Sequence, residues 1–100
     1  MSSTSTDQLQ PGDIVRNDMM RLHIDRPIRT TNHPLTDGRP TYATSARIIN
    51  AAELRAEADR GNGHARFILN LADHDGDDLR WVIQGNHLAT WFVEGNEPPG

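Results

Sequence analysis

Histidine and aspartate are the side chains here with the most chemistry to offer, and their spacing decides what they can do. Five histidines (His23, His33, His64, His74 and His87) are scattered, with no H-x-x-x-H or comparable ligand spacing. Four fall in expected loops or turns and His23 on the wet face of an expected strand, so they read as surface histidines rather than a metal set. DHDGDD (Asp73 to Asp78) opens like a calcium loop, with Asp73, Asp75 and Asp77 at alternate positions. The EF-hand pattern then needs Gly sixth and Glu twelfth, and these positions hold Asp78 and Gln84. The stretch reads as a solvated hairpin tip. His23 and Asp25 share one strand face, but no G-x-S-x-G elbow, P-loop or G-x-G-x-x-G accompanies them. Gly61-Asn62-Gly63 lacks the strand-then-helix setting of a phosphate cradle and reads as a bare linker. With no cysteine, disulfides, thiolate nucleophiles and thiolate zinc sites are excluded. The expectation is a chain with no catalytic residue, no metal and no cofactor.

The remaining charge is arginine. All ten basic residues are Arg, and ten of the fourteen acids are Asp, which fits a GC-rich coding sequence. Residues 1–50 carry six Arg against five acids, +1; residues 51–100 carry four against nine, −5. A polyanion would have to be held by the first half, where Arg16, Arg21, Arg26 and Arg29 can share one outer surface. Asp13, Asp18 and Asp25 are interleaved with them and dilute the field, and exposed aromatics to stack on bases are missing. Cross-strand Arg–Asp pairs on a wet sheet face are the plainer reading.

These residues need elements to position them. MRLHID alternates Met20, Leu22 and Ile24 with Arg21, His23 and Asp25, the period of a strand with one wet face. Pro11-Gly12 turns into a short strand at Ile14-Val15, and Asn17-Asp18 turns between the two. Pro27 predicts an edge or bulge, because proline donates no ladder hydrogen bond. NHPLTDGRP (Asn32 to Pro40) is a loop with a tight turn at Asp37-Gly38. TYATSARII is a strand with Tyr42, Thr44, Ala46 and Ile48 on one face. Asn50 as N-cap with Glu53 three residues on, and Gly61 as a stop, predict one short surface helix over residues 50–60. ARFILNLADHDGDDLRWVIQG predicts a β-hairpin, with Phe67, Leu69 and Leu71 on one strand and Leu79, Trp81 and Ile83 on the other. TWFVE closes the sheet. MSSTSTDQLQ has almost no apolar content, so residues 1–10 read as a disordered lead, residues 95–100 as a disordered tail, and residues 11–94 as a single domain. The predicted architecture is mainly β: a small five-stranded antiparallel barrel, partly open, SH3-like (or OB-like), with one short helix. Its core is Leu22, Ile24, Leu69, Trp81, Ile83, Trp91 and Val93.

RWVIQGNHLATWFVEG holds both tryptophans. Trp81 alternates with Leu79 and Ile83, and Trp91 with Val93, so all five face the core. Gly85-Asn86 turns the chain, with His87-Leu88-Ala89 as a tight helical turn. Val82 and Phe92 then point the other way, where either the helix covers them or they form a small exposed apolar patch for a partner. The string resembles the ending W-x-I-Q-G-N-x-L-A-x-W-x-V-E of small uncharacterised proteins encoded by actinobacteriophages and their prophages. The matching residues are Trp81, Ile83, Gln84, Gly85, Asn86, Leu88, Ala89, Trp91, Val93 and Glu94. PGDIV and the run Arg47-Ile48-Ile49-Asn50-Ala51 are similar to the same group, and only the C-terminal motif is specific. The resemblance implies a phage product acting inside a bacterium and brings no activity or site residues with it.

No 18-residue apolar run is present, and the opening residues lack the basic-then-apolar order of a secretory leader, so a protein of the bacterial host cytoplasm is expected. The leading functional expectation is a non-enzymatic interaction module that binds a host protein or itself through Val82 and Phe92. The alternatives are a nucleic-acid-binding regulator using Arg16, Arg21, Arg26 and Arg29, and a virion adaptor.

Overall fold

Period-two alternation builds the largest share of this molecule. The computed structural model describes residues 2–31 and 40–98 and is mainly β, an open antiparallel sheet with two helices. The strands are β1 (Ser2–Ser5), β2 (Asp13–Asn17), β3 (Met20–Ile24), β4 (Arg29–Thr31), β5 (Thr41–Ile48), β6 (Asp73–Asp75), β7 (Asp78–Gly85) and β8 (Thr90–Asn96). The helices are α1 (Ala51–Asp59) and α2 (Gly63–Leu71), and a single 3-10 turn covers Thr6–Gln8. The order across the sheet is β1-β8-β2-β3-β5-β7-β6, with β4 added to β5.

Register sorts the side chains onto two faces. Leu22 pairs with Ile48, Ile24 with Ala46, Ala46 with Trp81, and Val15 with both Leu22 and Val93. These residues form an inner face, and Leu54 of α1 and Ile68 of α2 complete its hydrophobic cluster. Arg16, Arg21, His23, Arg47, Arg80, Val82 and Phe92 alternate onto the outer face. Of the expected core, Leu22, Ile24, Ile83 and Val93 are buried, whereas Leu69, Trp81 and Trp91 are partly buried against it.

Several expectations are corrected. Among the described residues, five strands and one helix become eight and two. The second helix replaces a predicted strand: Ala65 and Ile68 turn inward while Phe67 and Leu71 stand 57% exposed, a helical rather than a strand pattern. Gly61-Asn62-Gly63 is not a bare linker, because the Asn62 carboxamide oxygen accepts from the His64 and Ala65 backbone N–H groups and caps α2. The hairpin is correspondingly shorter, β6 to β7, and turns at Gly76-Asp77. The helix at residues 51–59 is present, but Asn50 does not cap it. Its side chain instead spans to β3, accepting from Arg21 N–H at 2.9 Å and donating to the Met19 carbonyl at 2.8 Å.

The polar lead has a place in the sheet. Ser2–Ser5 pairs antiparallel with β8, Thr6 is fully buried and Leu9 is 5% exposed. At the other end, Gly95 and Asn96 belong to β8, and Glu97 N–H donates to the Gly12 carbonyl at 2.8 Å. The Asp37-Gly38 turn and His33 lie outside the described residues.

Candidate functional site

The outer face is held by ion pairs before it offers anything to a ligand. Glu94 on β8 takes Arg21 on one carboxylate oxygen, at 3.0 Å from Nε and 2.9 Å from an η-nitrogen, and Arg16 at 3.5 Å on the other. Arg26 lies 3.7 Å from Asp75, and Arg29 is on β4, exposed. The four arginines singled out for a polyanion therefore divide into two places, and three already face a carboxylate. His23 is on the wet face yet only 8% exposed, because its Nε2 sits 2.7 Å from the Glu97 carbonyl. Asp25 is engaged with Arg80, so His23 and Asp25 do not work as a pair. Among the described residues no three His, Asp or Glu side chains converge as a metal set.

Arg80 is the outer-face residue that sequence reasoning missed. It is 5% exposed and donates to Asp25 from both η-nitrogens, at 2.6 and 3.2 Å. It also donates to Ser45 Oγ at 2.8 Å and to the Ser45 carbonyl at 3.1 Å. Such a fork fixes β3, β5 and β7 to one another. The Arg80 hydrogen bonds hold the Asp25 carboxyl below the usual carboxylate range, against the opposing effect of its partial burial.

Val82 and Phe92 are both exposed, at 49% and 40%, on strands that do not pair with each other. Phe92 stands between Ser3 and Arg16, whereas Val82 stands beside Ser45, and β2, β3 and β5 separate the two strands along the sheet. What Val82 does join is a groove of about 370 Å³ lined by Leu71, Asp73, Arg80, Trp81 and Val82. Leu71 escaped notice because a strand reading put it on a buried face. Treating Ala65, Ile68 and Ala72 as the buried set would have exposed it.

The motif around Gly85 is built by close approach. A Cβ on Gly85 would lie 2.8 Å from both the Ala89 Cβ and Thr6 Oγ1. The Asn86 side chain accepts from the Leu88 and Ala89 N–H groups and closes the turn to β8. Gly85→Ala is expected to cost about 1–3 kcal/mol through overpacking, measured by chemical denaturation. Unchanged stability would contradict the close approach.

Comparison of the chain with protein-family models, with curated proteins and with solved structures gives no match.

Proposed function

We propose that the protein is a non-enzymatic, phage-encoded interaction module that acts in the host cytoplasm and binds a bacterial protein or a second copy of itself. The observation that carries this is the apolar groove at the end of α2, where Leu71 and Val82 stand exposed beside a half-buried Trp81. Side chains of this size cost free energy in water and are recovered when a partner covers them. The phage origin rests on the resemblance of the Trp81–Glu94 motif.

We read the sheet as a partly open small barrel, and one connection supports this. Only residues 86–89 link β7 to β8, yet three strands lie between them in the sheet. In a flat sheet that gap is about 19 Å, more than a turned four-residue link can span. Curling the sheet brings the two ends together.

A nucleic-acid role is disfavoured by the carboxylates already facing Arg16, Arg21 and Arg26. The test is capture from host lysate together with light scattering. Wild type is expected to hold a partner or to self-associate, and Leu71→Glu to lose the contact. A salt-sensitive shift with DNA or RNA, abolished by Arg21→Ala with Arg26→Ala, would favour the nucleic-acid reading. Presence in purified virions by mass spectrometry would favour the adaptor. A strict monomer with no partner at micromolar concentration would defeat the module reading.

A further inference from the structure

The groove borders an unsatisfied strand edge. β7 runs to Gly85, but on the side away from β5 the short β6 reaches only Arg80, and among the described residues nothing pairs with Trp81–Gly85 there. The β6–β7 hairpin closes on Asp75 and Asp78 across a two-residue loop, so Asp78 and Arg80 aim their backbone groups at β6. By the alternation of an antiparallel ladder, the N–H and C=O groups of Val82 and Gln84 then point outward.

Other edges are protected. β1 is only four residues long and wholly polar, β4 is three residues with Arg29 after Pro27, and β6 is three residues carrying Asp73 and Asp75. Trp81-Val82-Ile83-Gln84-Gly85 has no charge, proline or bulge, the devices that ordinarily keep an edge from pairing.

We propose that this edge pairs antiparallel with the same edge of a second copy of the chain, which specifies the partner that the interaction reading leaves open and rests on that reading. The sequence is self-complementary about Ile83. Val82 meets Gln84 of the second copy in both directions, which satisfies the outward backbone groups of all four residues by an isologous two-fold contact. Trp81 falls opposite a glycine, Gly85, where its ring has room. The stretch ends at Gly85, where the chain turns away, and β6 of the other copy begins at that level. The exposed Leu71, which lines the groove with Trp81 and Val82, borders the new contact. Charge agrees, because two-fold pairing sends the acidic tips (Asp75, Asp77 and Asp78) to opposite ends, towards the exposed His87 of the other copy.

Sedimentation equilibrium of the full chain is expected to give a dimer at protein concentrations on the order of 100 µM. Val82→Pro removes only an outward N–H, so it should keep the native circular dichroism while weakening the dimer at least roughly tenfold. Leu71→Glu, at an exposed position, should weaken it likewise and guards against misfolding of the proline variant. Amide exchange gives a strand-specific signature: Val82 and Gln84 should gain protection with concentration, whereas Ile83, bonded to β5, should not. A wild-type monomer, or a folded Val82→Pro variant that dimerises normally, overturns the proposal. A monomer that still captures a host protein through Leu71 overturns the dimer and leaves the interaction reading standing; a monomer that captures nothing removes both.

Discussion

Deleting residues 2–9 is expected to destabilise the protein by about 3 kcal/mol, roughly a 12–24 °C fall in thermal midpoint for a domain of this size. The segment is polar, so the effect comes from two residues. Leu9 is buried, and losing a buried leucine costs about 2–3 kcal/mol in transfer free energy alone. Thr6 is fully buried and closes a small network: its N–H and Oγ1 donate to the Ala89 carbonyl at 3.1 and 3.2 Å, and the Trp91 indole N–H donates to Thr6 Oγ1 at 2.9 Å. Without Thr6 the indole N–H loses its partner, and the cleft against Gly85 opens. The ordering entropy of Ser2–Ser5 is recovered on deletion and offsets their strand pairing. Removing residues 2–5 alone should therefore change stability by less than about 1 kcal/mol. Differential scanning calorimetry of the two truncations separates these cases. If both melt like the full chain, the lead does not contribute to the fold.

The misreading of this lead and the misreading of α2 have different physical origins. An edge strand such as β1 is held by backbone hydrogen bonds, which carry no side-chain pattern, so Ser-Ser-Thr-Ser gave no signal. Residues 65–72 fit both periods: Phe67, Leu69 and Leu71 alternate, while Ala65, Ile68 and Ala72 recur at helical spacing. The Asn62 cap was the discriminating signal and was legible. Where alternation was unopposed, in β2, β3, β5 and β7, the two faces followed from residue types, and with them the outward direction of Val82, though not whether a helix covers it. Its companion in the groove did not follow, because Leu71 reaches β7 only through the helix. Nor did the Arg80–Asp25 contact, which joins positions 55 residues apart and depends on strand order rather than local pattern.

That contact carries the second large effect. Arg80→Ala is expected to cost about 2–4 kcal/mol, because it strands the Asp25 carboxylate and the Ser45 acceptors at once. The figure lies below that for a fully buried pair, since the Asp25 side chain keeps 26% exposure and some hydration. Arg80→Met retains the stem that packs across the sheet and should recover part of the loss. Acid titration identifies the interaction independently of packing. The folded-state pKa of Asp25 is depressed, chiefly by the Arg80 hydrogen bonds, below its unfolded value of about 3.9. Its contribution is therefore fully present above the unfolded value and is lost as pH falls through the folded one. Wild-type stability should decline more steeply between about pH 5 and pH 2 than that of Asp25→Asn, with the two curves converging at the acid end. An equally steep decline in Asp25→Asn would assign the acid sensitivity to other carboxylates. A double-mutant cycle over Arg80 and Asp25 should give a coupling above about 1 kcal/mol at pH 7, vanishing in acid. The pair is then a clamp holding β3 and β5 against β7, and it fixes the position of the Trp81–Gly85 edge beside it, which is unpaired among the described residues.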